Sequence, residues 1–115
     1  MLAYLDYSQQ ELAIQGYLSG DQKLIDCYNQ GDGYLASAKL LDLVPQHATK
    51  QSHPKERDTV KVLFLAQGYG AGPGYVSSQI GCSKLKAQNL LARFKQLFHF
   101  YDHWIKQVLK LVSMT

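Results

Sequence analysis

The sequence predicts a mainly α-helical chain in which one N-terminal strand is followed by about six helices. The short apolar run 2–5 ends at Asp6, which is typical of a buried strand. After it, apolar residues recur at steps of three and four residues, the period of an α-helix. Glycine, proline and capping residues separate these segments. Because a single strand cannot form a sheet by itself, this strand indicates that the chain is an incomplete part of a larger assembly.

Three helices are predicted before residue 45. Ser8 and Asp21 are plausible N-caps of the first two helices. Leu12, Ile14 and Tyr17 are expected on the buried face of the first one. The predicted boundaries are 8–19, 21–29 and 34–43, with a glycine-containing turn at 31–33 before the third helix.

The second half of the chain begins after a polar loop, residues 45–54, which is the only candidate linker. Pro54 suits the first turn of the next helix, where its missing N–H costs no hydrogen bond. Glycines at 68, 70, 72 and 74 are expected to end that helix. The three predicted helices of this half are 54–69, 75–80 and one long helix, 83–112.

Composition agrees with a globular domain and argues against several classes. The chain has 115 residues, of which 46% are apolar and 18% charged, so it can bury a core. No apolar run approaches the roughly 20 residues that span a bilayer, and residues 1–15 do not resemble a secretory signal. Cys27 and Cys82 form no Cys-x-x-Cys pair, which argues against zinc and favours a reducing compartment. His99 and His103 share a helix face without an evident third ligand, so we expect no metal there.

Charge is divided unevenly along the chain. Residues 1–58 hold five Lys/Arg against eight Asp/Glu, a net charge of −3. Residues 59–115 hold seven Lys/Arg against one Asp, a net charge of +6. This half favours a phosphate-rich partner, although a hydrated basic surface is the alternative.

A row of side chains on the helix 54–69 is the candidate binding site. Arg57, Lys61, Leu65 and Tyr69 follow one another at four-residue steps and therefore lie along one face, which winds by about 40° per step. Two cations, an apolar side chain and an aromatic ring in this order suit the phosphates, sugar and base of a nucleoside triphosphate. The alternative is a surface helix whose cations are simply hydrated.

The segment 57–72 resembles motif B of family A DNA polymerases, the polymerase I type, in which Arg, Lys, an apolar or aromatic residue and Tyr-Gly have these spacings. Residues 5–12, Leu-Asp-Tyr-Ser-Gln-Gln-Glu-Leu, resemble motif A of the same family. Residues 18–21 and 31–35 are similar to the sequence that connects motif A with motif B in this family. The likeness extends from about Tyr4 to Trp104. The resemblance implies part of a palm, fingers and thumb polymerase. Its expected divisions are a palm strand with motif A (1–7), a helical connection (8–53) and fingers-like helices with motif B (54–115).

The resemblance also implies a reaction, the template-directed addition of deoxynucleotides to a primer 3′ end in DNA replication. Asp6 and Lys61 are the implied catalytic residues, and Asp6 with the backbone carbonyl of Tyr7 is implied to bind two Mg²⁺ ions. The family's motif C, a His-Asp-Glu that supplies the second metal-binding Asp, does not occur in this sequence. We therefore expect the isolated chain to be inactive.

The resemblance further implies the substrate contacts. Arg57 and Lys61 are expected to bind the outer phosphates, and Glu11 is expected to contact Tyr69 beside the sugar. The sequence departs from the family pattern with Tyr34 in place of a His, Leu65 in place of Phe or Tyr, and Asp58 in place of a second Arg. The implied nucleotide-binding residues are Gln9, Glu11, Tyr34, Arg57, Lys61, Leu65 and Tyr69, and the implied DNA-binding residues are Tyr69, Gly70, Lys84 and Lys86.

The expected partners are a DNA primer–template, deoxynucleoside triphosphates and a polypeptide that carries the remaining palm and thumb. The expected location is the cytoplasm of a bacterial or phage-infected cell, and Leu65 with residues 31–35 looks closer to phage-borne relatives. The alternative function is a small helical DNA-binding module. Residues 75–90 have the rhythm of a helix-turn-helix, with Lys84, Lys86 and Gln88 exposed.

Overall fold

Seven α-helices make up the part of the chain that the computed structural model describes, residues 9–113 for the backbone and 12–112 for the side chains. No β-strand occurs within these residues. The predicted strand 2–5, together with Asp6 and Tyr7, lies outside them. None of the described helices combines the length and the apolar character that crossing a membrane requires. The helices are α1 (Gln9–Ser19), α2 (Gln22–Asn29), α3 (Gly33–Leu40), α4 (Pro54–Tyr69), α5 (Pro73–Ile80), α6 (Lys84–Leu97) and α7 (His99–Ser113).

Aspartates begin both α2 and α3. Asp21 is the N-cap of α2, as predicted, and its Oδ1 accepts a hydrogen bond from the Leu24 N–H at 3.2 Å. Asp32, which lies in the predicted turn, caps α3 in the same way through the Leu35 N–H. The predicted extension of α3 to residue 43 is wrong, because Asp42 adopts a left-handed conformation (φ 60°) that ends the helix.

α4 has the predicted boundaries. It begins at Pro54 and ends where Gly70 adopts a left-handed conformation, with φ 69°. A Cβ atom at Gly70 would also lie 3.2 Å from Cδ1 of Leu109 on α7. The backbone conformation therefore favours glycine here, and a larger residue would also make a tight contact with Leu109.

The single long helix predicted for residues 83–112 is two helices, α6 and α7. Phe98 departs from helical geometry (φ −110°, ψ 57°) and separates them. The Tyr101 N–H donates to Asp21 Oδ2 at 3.0 Å, where an uninterrupted helix would use the carbonyl four residues earlier. One buried carboxylate thus caps the starts of both α2 and α7, although Asp21 and Tyr101 are 80 residues apart in the sequence. The break follows from this long-range hydrogen bond, since no glycine or proline lies near Phe98.

The core is organised around the aromatic ring of Phe64 on α4. This ring packs against rings on α3, on α7 and at the end of α6. The ring-centroid distances from Phe64 are 5.9 Å to Tyr34, 4.7 Å to Phe94, 5.8 Å to Phe98 and 6.0 Å to Tyr101. Aromatic pairs at such distances add to the stability gained from burying their area.

The predicted buried face of α1 is only partly correct. Leu12 is fully buried, but Ile14 and Tyr17 are 57% and 70% exposed. α1 packs against α2 through its other side, where a Cβ atom at Gly16 would lie 3.0 Å from the side chain of Ile25. Together with Leu18, which is also exposed, Ile14 and Tyr17 give α1 an apolar outer face.

Replacing Asp21 with Ala should lower the free energy of unfolding by about 2–3 kcal/mol, because the N–H groups of Leu24 and Tyr101 lose their acceptor. Asp26→Ala on the exposed side of α2 is the matched control, and it should cost less than about 0.5 kcal/mol. Urea denaturation followed by circular dichroism measures both changes. Equal costs for the two variants would contradict the double cap.

Candidate nucleotide-binding site

α4 brings the two predicted cations together over one aromatic ring. The guanidinium carbon Cζ of Arg57 lies 5.3 Å from the centroid of the Tyr34 ring, and Nζ of Lys61 lies 5.6 Å from it. Both distances are within the range of a cation–π interaction. The four-residue spacing therefore places both cations on the same side of α4, and α3 supplies the ring beneath them.

Tyr34 lies between these cations and the core. Its side chain is only 1% exposed, and its ring makes an edge contact with Phe64. The resemblance implies that Tyr34 contacts a nucleotide directly. The described geometry places its ring beneath Arg57 and Lys61, and a direct contact between Tyr34 and a nucleotide stays a prediction.

Arg57 is held by a carboxylate that the sequence did not single out. Its Nε donates to Asp32 Oδ2 at 2.8 Å, and the two side chains are 21% and 23% exposed. Partial burial opposes ionisation of Asp32. The hydrogen bonds from Arg57, Leu35 and Tyr34 and the charge of Arg57 outweigh burial, and they hold the pKa of Asp32 below its usual value. Asp32 is therefore ionised at neutral pH.

Lys61 is not neutralised in the same way. Among residues 12–112, no carboxylate lies within ion-pair distance of its ammonium group, which is partly exposed. Asp32, Arg57 and Lys61 together carry a net charge of +1. Such a cluster favours binding of an anion, with an ammonium and the remaining edge of a guanidinium as donors.

The rest of the predicted row continues along α4 towards the solvent. Leu65 is partly buried, and Tyr69, the last residue of the helix, is 67% exposed. Gln9 and Glu11 belong to α1, but their side chains lie outside the described residues. The contact between Glu11 and Tyr69 therefore stays a prediction.

The predicted DNA-binding lysines lie at the start of α6. Lys84 and Lys86 are both exposed, and Ser83 caps this helix by accepting a hydrogen bond from the Lys86 N–H at 3.1 Å. Lys86 also lines a cleft of about 320 Å³ that it shares with Lys55 on α4. The helix, turn and helix predicted for this segment are formed by α5 and α6.

The predicted magnesium ligands cannot be placed. Asp6 and Tyr7 lie outside the described residues. Within the described part of the chain, no group of three His, Cys, Asp or Glu side chains could hold a metal ion. The described residues thus supply no complete metal site. Asp6 is the one carboxylate of this chain that the resemblance implies as a metal ligand.

Asp32 is the site residue that sequence reasoning missed. Its position before α3 indicates an N-cap, and it stands in a turn between two glycines. Nothing in the sequence connects it with Arg57, 25 residues later.

The described fold and site define a helical unit in which two cations lie over a buried aromatic ring, an arrangement that favours binding of an anion. The comparisons with known proteins are consistent with this class. The chain matches the family model of DNA polymerase family A over residues 1–115, and it belongs to that family.

The relatives are bacterial and phage polymerases. The chain is 31% identical over 111 residues to the thermostable DNA polymerase I of Thermus aquaticus, with 96% of this chain and 13% of that protein covered. It is 30% identical to the thermostable DNA polymerase I of Thermus thermophilus over 95% of this chain and 13% of that protein. It is also 30% identical to the DNA polymerase of Mycobacterium phage D29 over 85% of this chain and 16% of that protein. The chain thus spans about one seventh of the length of these relatives.

The lowered pKa of Asp32 should make the ion pair with Arg57 sensitive to acid. Its stabilising effect should be complete above the unfolded-state pKa of about 3.9 and should disappear as the pH falls through the lower folded-state value. Urea denaturation at pH 6 should show wild type more stable than Asp32→Asn by about 0.5–1 kcal/mol, because the pair is partly screened by solvent. Near pH 3 this difference should shrink, whereas a difference that grows in acid would contradict the assignment.

Proposed function

We propose that this chain is the nucleotide-binding part of a DNA-directed DNA polymerase, which adds deoxynucleotides to a primer 3′ end in DNA replication. The observation that carries the proposal is the placement of Arg57 and Lys61 over Tyr34, at motif B positions of a chain that belongs to family A. The relatives, which are named DNA polymerases, support the reaction class.

Arg57 and Lys61 would bind the outer phosphates of the incoming nucleotide. Because Nε of Arg57 is occupied by Asp32, the terminal nitrogens of its guanidinium would contact phosphate oxygens. Lys61 would act as a compact positive charge next to the same phosphates. As pyrophosphate leaves, negative charge develops on these oxygens, and cations that are already in place stabilise it. Lys61 is the catalytic residue of this scheme within the described part of the chain.

The remaining nucleotide contacts would come from the outer half of α4 and the start of α1. Leu65 and the exposed ring of Tyr69 would lie beside the sugar and base, and Gln9 and Glu11 would be further contacts. Tyr34 would support Arg57 and Lys61 from beneath through cation–π contacts with its ring.

Asp6 and the backbone carbonyl of Tyr7 would contribute to a site for two Mg²⁺ ions. When bound, these ions would neutralise charge on the phosphates during transfer. A single carboxylate is too little for such a site, so at least one further carboxylate would have to come from another part of the polymerase. The isolated chain should therefore be inactive.

A companion polypeptide that carries the remaining palm and thumb is the expected partner. The chain spans only 13% of its Thermus relatives, and α1 exposes Ile14, Tyr17 and Leu18 on its outer face. Apolar side chains grouped in this way favour contact with another protein surface. The bacterial and phage relatives are consistent with a role in the cytoplasm of a bacterial or phage-infected cell.

DNA would be contacted by Tyr69 and Gly70 at the end of α4 and by Lys84 and Lys86 on α6. The exposure of these lysines also agrees with the alternative, a helix-turn-helix module made of α5 and α6. Family membership over residues 1–115 favours the polymerase, since the module leaves α4 and its cations unexplained. Weak, strongly salt-dependent DNA binding fits phosphate contacts, whereas sequence-selective binding fits the module.

The phosphate contacts can be tested on the purified chain. Arg57→Ala and Lys61→Ala should each weaken binding of dATP by about tenfold or more, because each removes a charge-assisted hydrogen bond. Arg57→Lys should restore only part of the affinity, since an ammonium lacks the planar fork of donors. Isothermal titration calorimetry measures these affinities. Asp58→Ala, one residue along the helix, is the control and should change the affinity for dATP little. Equal effects of the alanine variants at Arg57, Lys61 and Asp58 would contradict the assignment of Arg57 and Lys61 as phosphate ligands.

Primer extension tests the proposed incompleteness of the chain. The purified chain should extend no primer with Mg²⁺ and all four deoxynucleotides present. A second, separately expressed polypeptide, which carries motif C but not the segment that corresponds to this chain, should restore some extension when it is added. Asp6→Ala in this chain should abolish the restored extension. Extension by the chain alone would refute the proposal that another polypeptide completes the metal site.

A further inference from the structure

We infer that Asp32 is a positioning residue that holds Arg57 for the triphosphate and thereby sets the affinity of the site. This inference rests on the proposed function, since it concerns the same phosphate contacts. The carboxylate joins two elements with its two oxygens. Oδ1 accepts the Leu35 N–H at the start of α3, and Oδ2 accepts Nε of Arg57 on α4.

This arrangement fixes the guanidinium relative to the core. Asp32 is tied to the first turn of α3, and the same helix carries Tyr34, which is buried against Phe64. The Arg57 guanidinium donates through Nε to the carboxylate on one side and lies over the Tyr34 ring on another. Its side chain is therefore ordered before any ligand arrives, so binding does not have to pay for that ordering.

The opposite effect of Asp32, repulsion of a phosphate, should be the weaker one. The ion pair is partly exposed, so solvent screens the charge of the carboxylate. The carboxylate occupies Nε and leaves the terminal nitrogens of the guanidinium as donors for a phosphate. Removal of the carboxylate charge should consequently weaken phosphate binding.

Asp32→Asn is the informative variant, because asparagine is as good an N-cap as aspartate. Its amide oxygen can still accept the Leu35 N–H, but the variant has no charge with which to hold Arg57. The probe is inorganic tripolyphosphate, added to the full 115-residue chain and measured by calorimetry. The dissociation constant should rise about two- to tenfold, which corresponds to the ordering of one long side chain.

Asp21→Asn is the matched control, since Asp21 is also an N-cap that binds a second element. The second partner of Asp21 is the Tyr101 N–H, far from the cations. This variant should lower the melting temperature and leave the affinity for tripolyphosphate unchanged. In an Arg57→Ala background, Asp32→Asn should cause no further loss of affinity, because a positioning residue acts only through the side chain that it positions.

The outcomes separate this inference from the function on which it rests. If wild type does not bind tripolyphosphate at all, the proposed function fails and takes the inference with it. If wild type binds and Arg57→Ala weakens binding, but Asp32→Asn binds as tightly as wild type or more tightly, the inference alone is overturned. Equal weakening by Asp32→Asn and Asp21→Asn, or a further loss in the Arg57→Ala background, would show a structural effect and overturn it as well.

Discussion

The packing of Phe64 is the constraint on which both the core and the candidate site depend. On α4, Arg57, Lys61 and Phe64 follow at steps of four and three residues, so they lie along one side of the helix. Phe64 reaches rings on α3, α6 and α7, whereas the two cations, nearer the start of the helix, remain partly exposed over Tyr34. Because Tyr34 touches Phe64 on one side and the cations on another, the position of the cations is set by the core. A site built on such packed helices is more rigid than one built on loops.

Local signals in the sequence predicted most of the helices. Pro54 and Gly70 mark the ends of α4, and Asp21 marks the start of α2, because each of these residues acts on the backbone beside it. The break between α6 and α7 could not be predicted in this way. It depends on a hydrogen bond between Asp21 and the Tyr101 N–H, which the chain brings together from 80 residues apart. Likewise, the buried side of α1 is decided by α2 and α7, and the apolar pattern of α1 alone does not distinguish its two faces.

The candidate site was predictable to a similar degree. The row of Arg57 and Lys61 follows from helical periodicity, and the described structure has both side chains over one ring. Periodicity also explains why Tyr69 lies in solvent, since the row winds around the helix by about 40° per step. Asp32 and the supporting position of Tyr34 depend on how α3 packs against α4. That packing is tertiary, and no spacing within the sequence encodes it.

Asp21 and Asp32 show how one local motif acquires two roles. Each is an aspartate that caps a helix with one carboxylate oxygen and binds a distant residue with the other. Asp21 is 2% exposed and accepts only backbone N–H groups in its described hydrogen bonds, so its second bond fixes the start of α7 and serves the fold. Asp32 is partly exposed and binds a guanidinium whose terminal nitrogens can still reach a ligand. The sequence predicts a cap at Asp21 and a turn at Asp32, and it indicates the long-range partner of neither residue. The difference in role arises from the second partner, because a backbone N–H has only one hydrogen bond to donate, whereas an arginine bound through Nε can bind an anion as well.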